Sequence, residues 1–78
     1  MTPRQPKQQL HPLADPLTER ELEILRLVAD GLNSREIAQS LVLSVGTIRW
    51  YIKQIYSKLD AHSRAQVLAR AREMKLLT

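Results

Sequence analysis

Cysteine and phenylalanine are both missing from these 78 residues, and glycine occurs only twice. Without cysteine there are no disulfides and no thiolate metal sites, so a domain this small must be held together by helix packing or by a partner. No apolar run approaches the length needed to cross a bilayer, and Met1–Leu10 offers no apolar stretch for a signal peptide. The expected location is therefore the cytoplasm, with no membrane association. His11 and His62 have no carboxylate or cysteine at ligand spacing, so neither a metal nor any other cofactor is expected. There is also no Gly-rich phosphate loop and no convergent nucleophile, histidine and carboxylate set. Together with a length that allows one small core, this opposes an enzyme.

What the chain does have is positive charge: twelve Lys and Arg against eight Asp and Glu, for a net charge of +4. Its distribution is uneven. Residues 17–43 carry five acidic side chains (Glu19, Glu21, Glu23, Asp30 and Glu36) against three basic ones, whereas residues 44–78 carry seven basic ones (Arg49, Lys53, Lys58, Arg64, Arg70, Arg72 and Lys75) against Asp60 and Glu73. Such asymmetry is expected where one face meets a polyanion.

All four prolines lie in residues 1–16, a Pro/Gln-rich stretch that reads as a flexible arm or linker. Residues 17–78 form the domain, and four capping signatures divide it into helices. Thr18 and Glu21 make a T-x-x-E box ahead of Leu22, Leu25, Val28 and Ala29, with Gly31 as a left-handed stop. Asn33 and Glu36 repeat the arrangement ahead of Ile37, Ala38 and Leu41. Ser44 caps a third helix in which Val45, Ile48, Ile52, Ile55 and Leu59 recur at helical spacing, and Ser63 with Gln66 opens a fourth carrying Val67, Leu68, Ala71 and Met74. The fold expected is all-α, a compact four-helix bundle with helices over about 19–30, 34–41, 45–59 and 63–75. A short second helix, a Leu41–Leu43 turn and a longer third helix are compatible with a helix-turn-helix, although the pattern alone also fits other helical hairpins.

On a helical wheel the apolar residues of the third helix fill one sector, which turns Gly46, Trp50, Lys53 and Ser57 outward. Arg49 flanks them on one side, with Thr47, Tyr51 and Lys58 on the other. This surface is basic and aromatic and has no acidic residue before Asp60, as suits a groove lined by phosphates. Glycine in the first turn costs helix stability but permits close approach of another backbone; a relaxed cap is the plainer explanation. Trp50, the only tryptophan, either contacts base edges or a thymine methyl, or folds back over the second helix or the arm.

The segment Leu17–Leu77 resembles the LuxR-family (GerE-like) helix-turn-helix domain. It carries L-T-x-R-E, L-x-L-x-A-x-G-L, E-I-A-x-x-L, S-x-x-T-I-R, I-Y-x-K-L and S-R-A-x-x-x-A-x-A. Its I-K-Q-I-Y-S-K-L-D-A-H-S-R stretch is similar to the effector domains that end large ATP-binding activators of this type. The resemblance implies a bacterial, sequence-specific transcription regulator of the cytoplasm and nucleoid, bound to double-stranded DNA. It implies that the third helix reads the major groove and that the fourth helix pairs protomers into a homodimer on DNA; the short side chains of Ala65 and Ala69 would let a second helix approach closely, although alanine also serves simply as a good helix former. RNA polymerase is a further candidate partner. Carried over by position, Arg49, Trp50 and Lys53 read bases. Thr47 and Lys58 contact phosphates, helped by Ser44, Tyr51, Asn33 and Ser34. Glu21 matches a glutamate that supports the fold. The chain departs from the family pattern where Tyr51 replaces a frequent histidine, Asp60 a frequent glycine or asparagine, and Trp50 a smaller residue.

Two other readings fit parts of the chain. Region four of a bacterial sigma factor shares the L-x-x-R-E opening, but here a capped fourth helix follows the third. A helical protein-interaction module could use the same basic face to hold an acidic partner.

Overall fold

The computed structural model describes residues 16–77. The arm expected over residues 1–16 lies outside them, apart from Pro16. Among the described residues there are four helices and no strand: α1 (Glu19–Ala29), α2 (Ser34–Leu41), α3 (Val45–Lys58) and α4 (Arg64–Glu73).

Each helix starts where its capping residue dictates. The Thr18 hydroxyl accepts from the Glu21 N–H at 3.1 Å while the Glu21 carboxylate accepts from the Thr18 N–H at 2.8 Å. Asn33 and Glu36 make the same reciprocal pair at 2.9 and 2.8 Å. Ser44 accepts from the Thr47 N–H, and Ser63 from the Gln66 N–H, each at 3.1 Å. At the fourth cap the glutamine side chain reaches the His62 N–H instead of that of Ser63. Caps of this kind each contribute about 1 kcal/mol by satisfying donors the first turn leaves orphaned.

All four helices also stop in one way. The closing residue adopts positive φ: Gly31 (96°), Val42 (56°), Asp60 (52°) and Lys75 (61°). The next residue then donates back across the last turn, Leu32 to Leu27 O at 3.1 Å, Leu43 to Ala38 O at 2.9 Å, Ala61 to Tyr56 O at 2.9 Å and Leu76 to Ala71 O at 2.8 Å. This is the Schellman arrangement, which satisfies orphaned carbonyls and brings an apolar residue back onto the helix. Leu32, Leu43 and Leu76 pack against the core, and Ala61 is part of it. Glycine fills this position once, at Gly31, as expected. The helices end one or two residues before the expected Asp30, Leu59 and Lys75 because those positions belong to the closing turns.

The core comprises Ile24, Leu25 and Val28 from α1, Ile37 and Ala38 from α2, Ile48 and Ile55 from α3, Leu59 and Ala61 from the following turn, and Val67 and Ala71 from α4. Helix α3 packs against both α1 and α2. The inward face of α1 differs from the one expected: Leu22 and Ala29 are half-buried, and Ile24 is fully buried. The face runs through Glu21, Ile24, Leu25 and Val28 because Glu21, a carboxylate, is drawn inside by partners described below. At the other end of α1, the Arg64 guanidinium donates to the Val28 carbonyl and ties the start of α4 to the end of α1.

Candidate nucleic-acid interface

Burying Ile48 and Ile55 against α1 and α2 fixes the rotation of α3 about its axis. The residues then exposed on the helix are Gly46, Arg49, Trp50, Lys53 and Ser57, a single row at helical spacing. No Asp or Glu occurs anywhere in Val45–Lys58. Neither Arg49 nor Lys53 is paired with a carboxylate among the described residues. The row therefore presents uncompensated positive charge to solvent, where it attracts anions at long range.

Trp50 is 56% exposed and stands against Tyr51 edge to face, with ring centroids 5.2 Å apart and planes at 73°. Tyr51 is itself packed against the core. Burying a neighbouring aromatic in this way holds the indole in place without covering it. Among the described residues nothing explains Gly46: a Cβ there would meet only the Ser44 hydroxyl oxygen, at 4.0 Å.

At the start of α3 the Ser44 hydroxyl donates to the Thr47 hydroxyl oxygen at 2.9 Å while accepting from the Thr47 N–H. The Thr47 O–H is thereby left without a part in this pair.

The other expected contacts are placed differently. Lys58 is turned towards α1: its Nζ lies 2.8 Å from Glu21 Oε1 and 3.4 Å from the Pro16 carbonyl, and its side chain is only 20% exposed. Burial alone would raise the Glu21 pKa. The ion pair with Lys58 and the Thr18 N–H outweigh burial and hold that carboxyl below the ordinary glutamate range. A lysine committed to this pair does not stand in the outward row, so its expected phosphate contact has no support in the geometry. The physical reason is a partner 37 residues away that no local pattern displays.

Asn33 and Ser34 line a hollow of about 240 Å³ together with Val28, Leu32, Ile52, Tyr56 and Arg64. They thus face the Ile52–Tyr56 side of α3 and are not gathered with Arg49, Trp50 and Lys53. Arg64, in the same hollow, is a cation that the sequence gives no reason to single out from the other basic residues. Gln54 was also overlooked; it is half-buried, one turn beyond Trp50. Ala65 and Ala69 are exposed, one turn apart on α4.

The family model "Bacterial regulatory proteins, luxR family" matches residues 15–71. The transcriptional regulatory protein DesR of Bacillus subtilis (strain 168) is 48% identical over 64 residues, covering 82% of this chain and 32% of that protein. The uncharacterized transcriptional regulatory protein YvfU of the same organism is 48% identical over 59 residues, covering 76% and 30%. Among solved structures, the response regulator ChrA of a heme-sensing two-component system superposes with a TM-score of 0.76 at 33% identity, covering 94% of this chain and 33% of that one. The chain thus spans about a third of the length of these relatives.

Proposed function

The chain belongs to the luxR family of bacterial regulatory proteins, a family of DNA-binding transcription regulators and not of enzymes, and from that premise we propose that it binds duplex DNA with α3 in the major groove. The observation that carries this is the exposed row Gly46, Arg49, Trp50, Lys53 and Ser57, cationic and aromatic, on a helix without a carboxylate. Arg49, Trp50 and Lys53 face base edges. Thr47, Ser44 and Tyr51 flank them towards the phosphates, and Asn33 and Ser34 contribute from the start of α2. Family membership favours this over the sigma-factor reading, and the relatives named as regulators and response regulators favour a regulatory output. RNA polymerase and the nucleoid are its proposed setting.

Ala65 and Ala69 give α4 a low exposed surface for a second copy, and two protomers on one duplex is the assembly proposed. Selection of bound duplexes from a random pool tests the proposal. Affinity for the selected sequence should fall with salt at a log–log slope of about −3 to −5 per protomer, for about three to five phosphates neutralised. A salt-independent affinity, or no enriched duplex, overturns it. Sedimentation showing a single protomer on every selected duplex overturns the pairing alone.

A further inference from the structure

We propose that the exposed row of α3 reads acceptor-bearing base edges, namely guanine N7 and O6, adenine N7, and the O4 and 5-methyl group of thymine, and makes no contact with the amino groups of adenine and cytosine. This inference rests on the DNA-binding reading above and specifies which bases that site takes.

It follows from what each side chain can offer. Arg49 and Lys53 are donors with no acceptor, and the indole of Trp50 has one N–H donor and an apolar ring. The exocyclic amines of adenine and cytosine require an acceptor, supplied in protein–DNA recognition by Asn or Gln for adenine and Asp or Glu for cytosine. Helix α3 contains no Asp, Glu or Asn. Its one amide, Gln54, is half-buried and lies off the exposed row, beside Lys53. Ser57, which could accept, lies later still, near the end of the helix. The other side chains exposed in the row, Arg49, Trp50 and Lys53, can satisfy only acceptors and a methyl group.

Two features assign the methyl to Trp50. Its ring is exposed yet propped edge-on by Tyr51, so its apolar face is held ready with little entropy left to lose. Arg49 and Lys53 lie on the same side of the row, one residue before and three after Trp50, so guanine and thymine contacts fall on neighbouring base pairs. A fork of donors suits guanine, and an aromatic plane suits a methyl.

The test uses the 78-residue chain and the duplex it enriches from a random pool. Each guanine in that duplex is replaced in turn by 7-deazaguanine, which lacks the N7 acceptor, and each thymine by deoxyuridine, which lacks only the methyl. At one or more guanines the loss should be about tenfold, as for a broken bidentate contact. At one or more thymines it should be about threefold, the worth of one buried methyl. Trp50→Ala should abolish the deoxyuridine penalty and keep the 7-deazaguanine penalty, Trp50→Phe should keep both, and Arg49→Ala or Lys53→Ala should remove the 7-deazaguanine penalty alone. Circular dichroism confirms that each variant is folded. An enriched duplex insensitive to both base analogues overturns the inference while leaving DNA binding intact, as does a deoxyuridine penalty that survives in Trp50→Ala. Failure to enrich any duplex overturns the DNA-binding reading and this inference with it.

Discussion

Lys58 Nζ lies 2.8 Å from Glu21 Oε1, joining the last turn of α3 to the first turn of α1 through a carboxylate that is only 5% exposed. The same carboxylate completes the cap of α1 by accepting from the Thr18 N–H. One buried group therefore serves two helices. Lys58→Met, which keeps the apolar stem but removes the charge, should cost about 2 kcal/mol in urea unfolding, less than for a fully buried pair because the lysine is partly solvated. The salt slope of DNA binding should stay as in the wild type. A slope shallower by about one would return Lys58 to the phosphate contacts.

Acid should weaken the fold through Glu21. Its folded pKa lies below the ordinary glutamate value, so the unfolded chain takes up a proton first as pH falls. The stability this group contributes is fully present above the unfolded pKa of about 4.3 and is lost as pH falls through the lower folded value. Glu21→Gln should lower stability at neutral pH and flatten the decline between about pH 5 and pH 3. Unfolding free energies measured across that range check it; an acid limb unchanged in the variant assigns the loss to other carboxylates.

Val42 is a β-branched residue at φ 56°, a conformation that costs an L-residue about 1–2 kcal/mol. It is 89% exposed, so replacing it sacrifices little burial. Val42→Asn, whose side chain tolerates the left-handed region, should stabilise the domain by about 1 kcal/mol. Gly31→Ala should do the reverse by about the same amount, from backbone strain alone, because a methyl there has nothing among the described residues within 4 Å to strike. Shifts in the urea midpoint of opposite sign confirm the pair.

Gly46→Ala should separate stability from binding. Alanine is the better helix former and finds open space at this position, so the free domain should gain about 0.5 kcal/mol. If DNA backbone or base edges approach the start of α3, the added methyl should weaken duplex binding. Equal affinity in the variant would mean that Gly46 is no more than a relaxed first turn.

Capping was legible in the sequence because its chemistry spans three residues: Thr18–Glu21, Asn33–Glu36, Ser44–Thr47 and Ser63–Gln66 mark helix starts that the structure keeps. The outward turn of Arg49, Trp50 and Lys53 was equally readable, since the isoleucines opposite them set the rotation of α3. Helix ends were harder. Gly31 announces a left-handed residue, whereas Val42, Asp60 and Lys75 adopt the same conformation because the following apolar residue gains burial, which composition alone does not reveal. The α1 face was misread for a related reason: a carboxylate is assigned to solvent until its lysine is known, and that lysine lies on another helix.

The aromatic residues have a consequence of their own. Trp50, Tyr51 and Tyr56 are the whole aromatic complement of the sequence, and all three sit on α3. Near-ultraviolet absorption, circular dichroism above 250 nm and intrinsic fluorescence therefore originate in this one helix, while the far-ultraviolet signal sums over all four. The domain carries an unlabelled optical reporter on α3 alone: comparing the two spectral regions during unfolding asks whether α3 comes loose before the rest, and the indole emission follows its surroundings as a partner arrives.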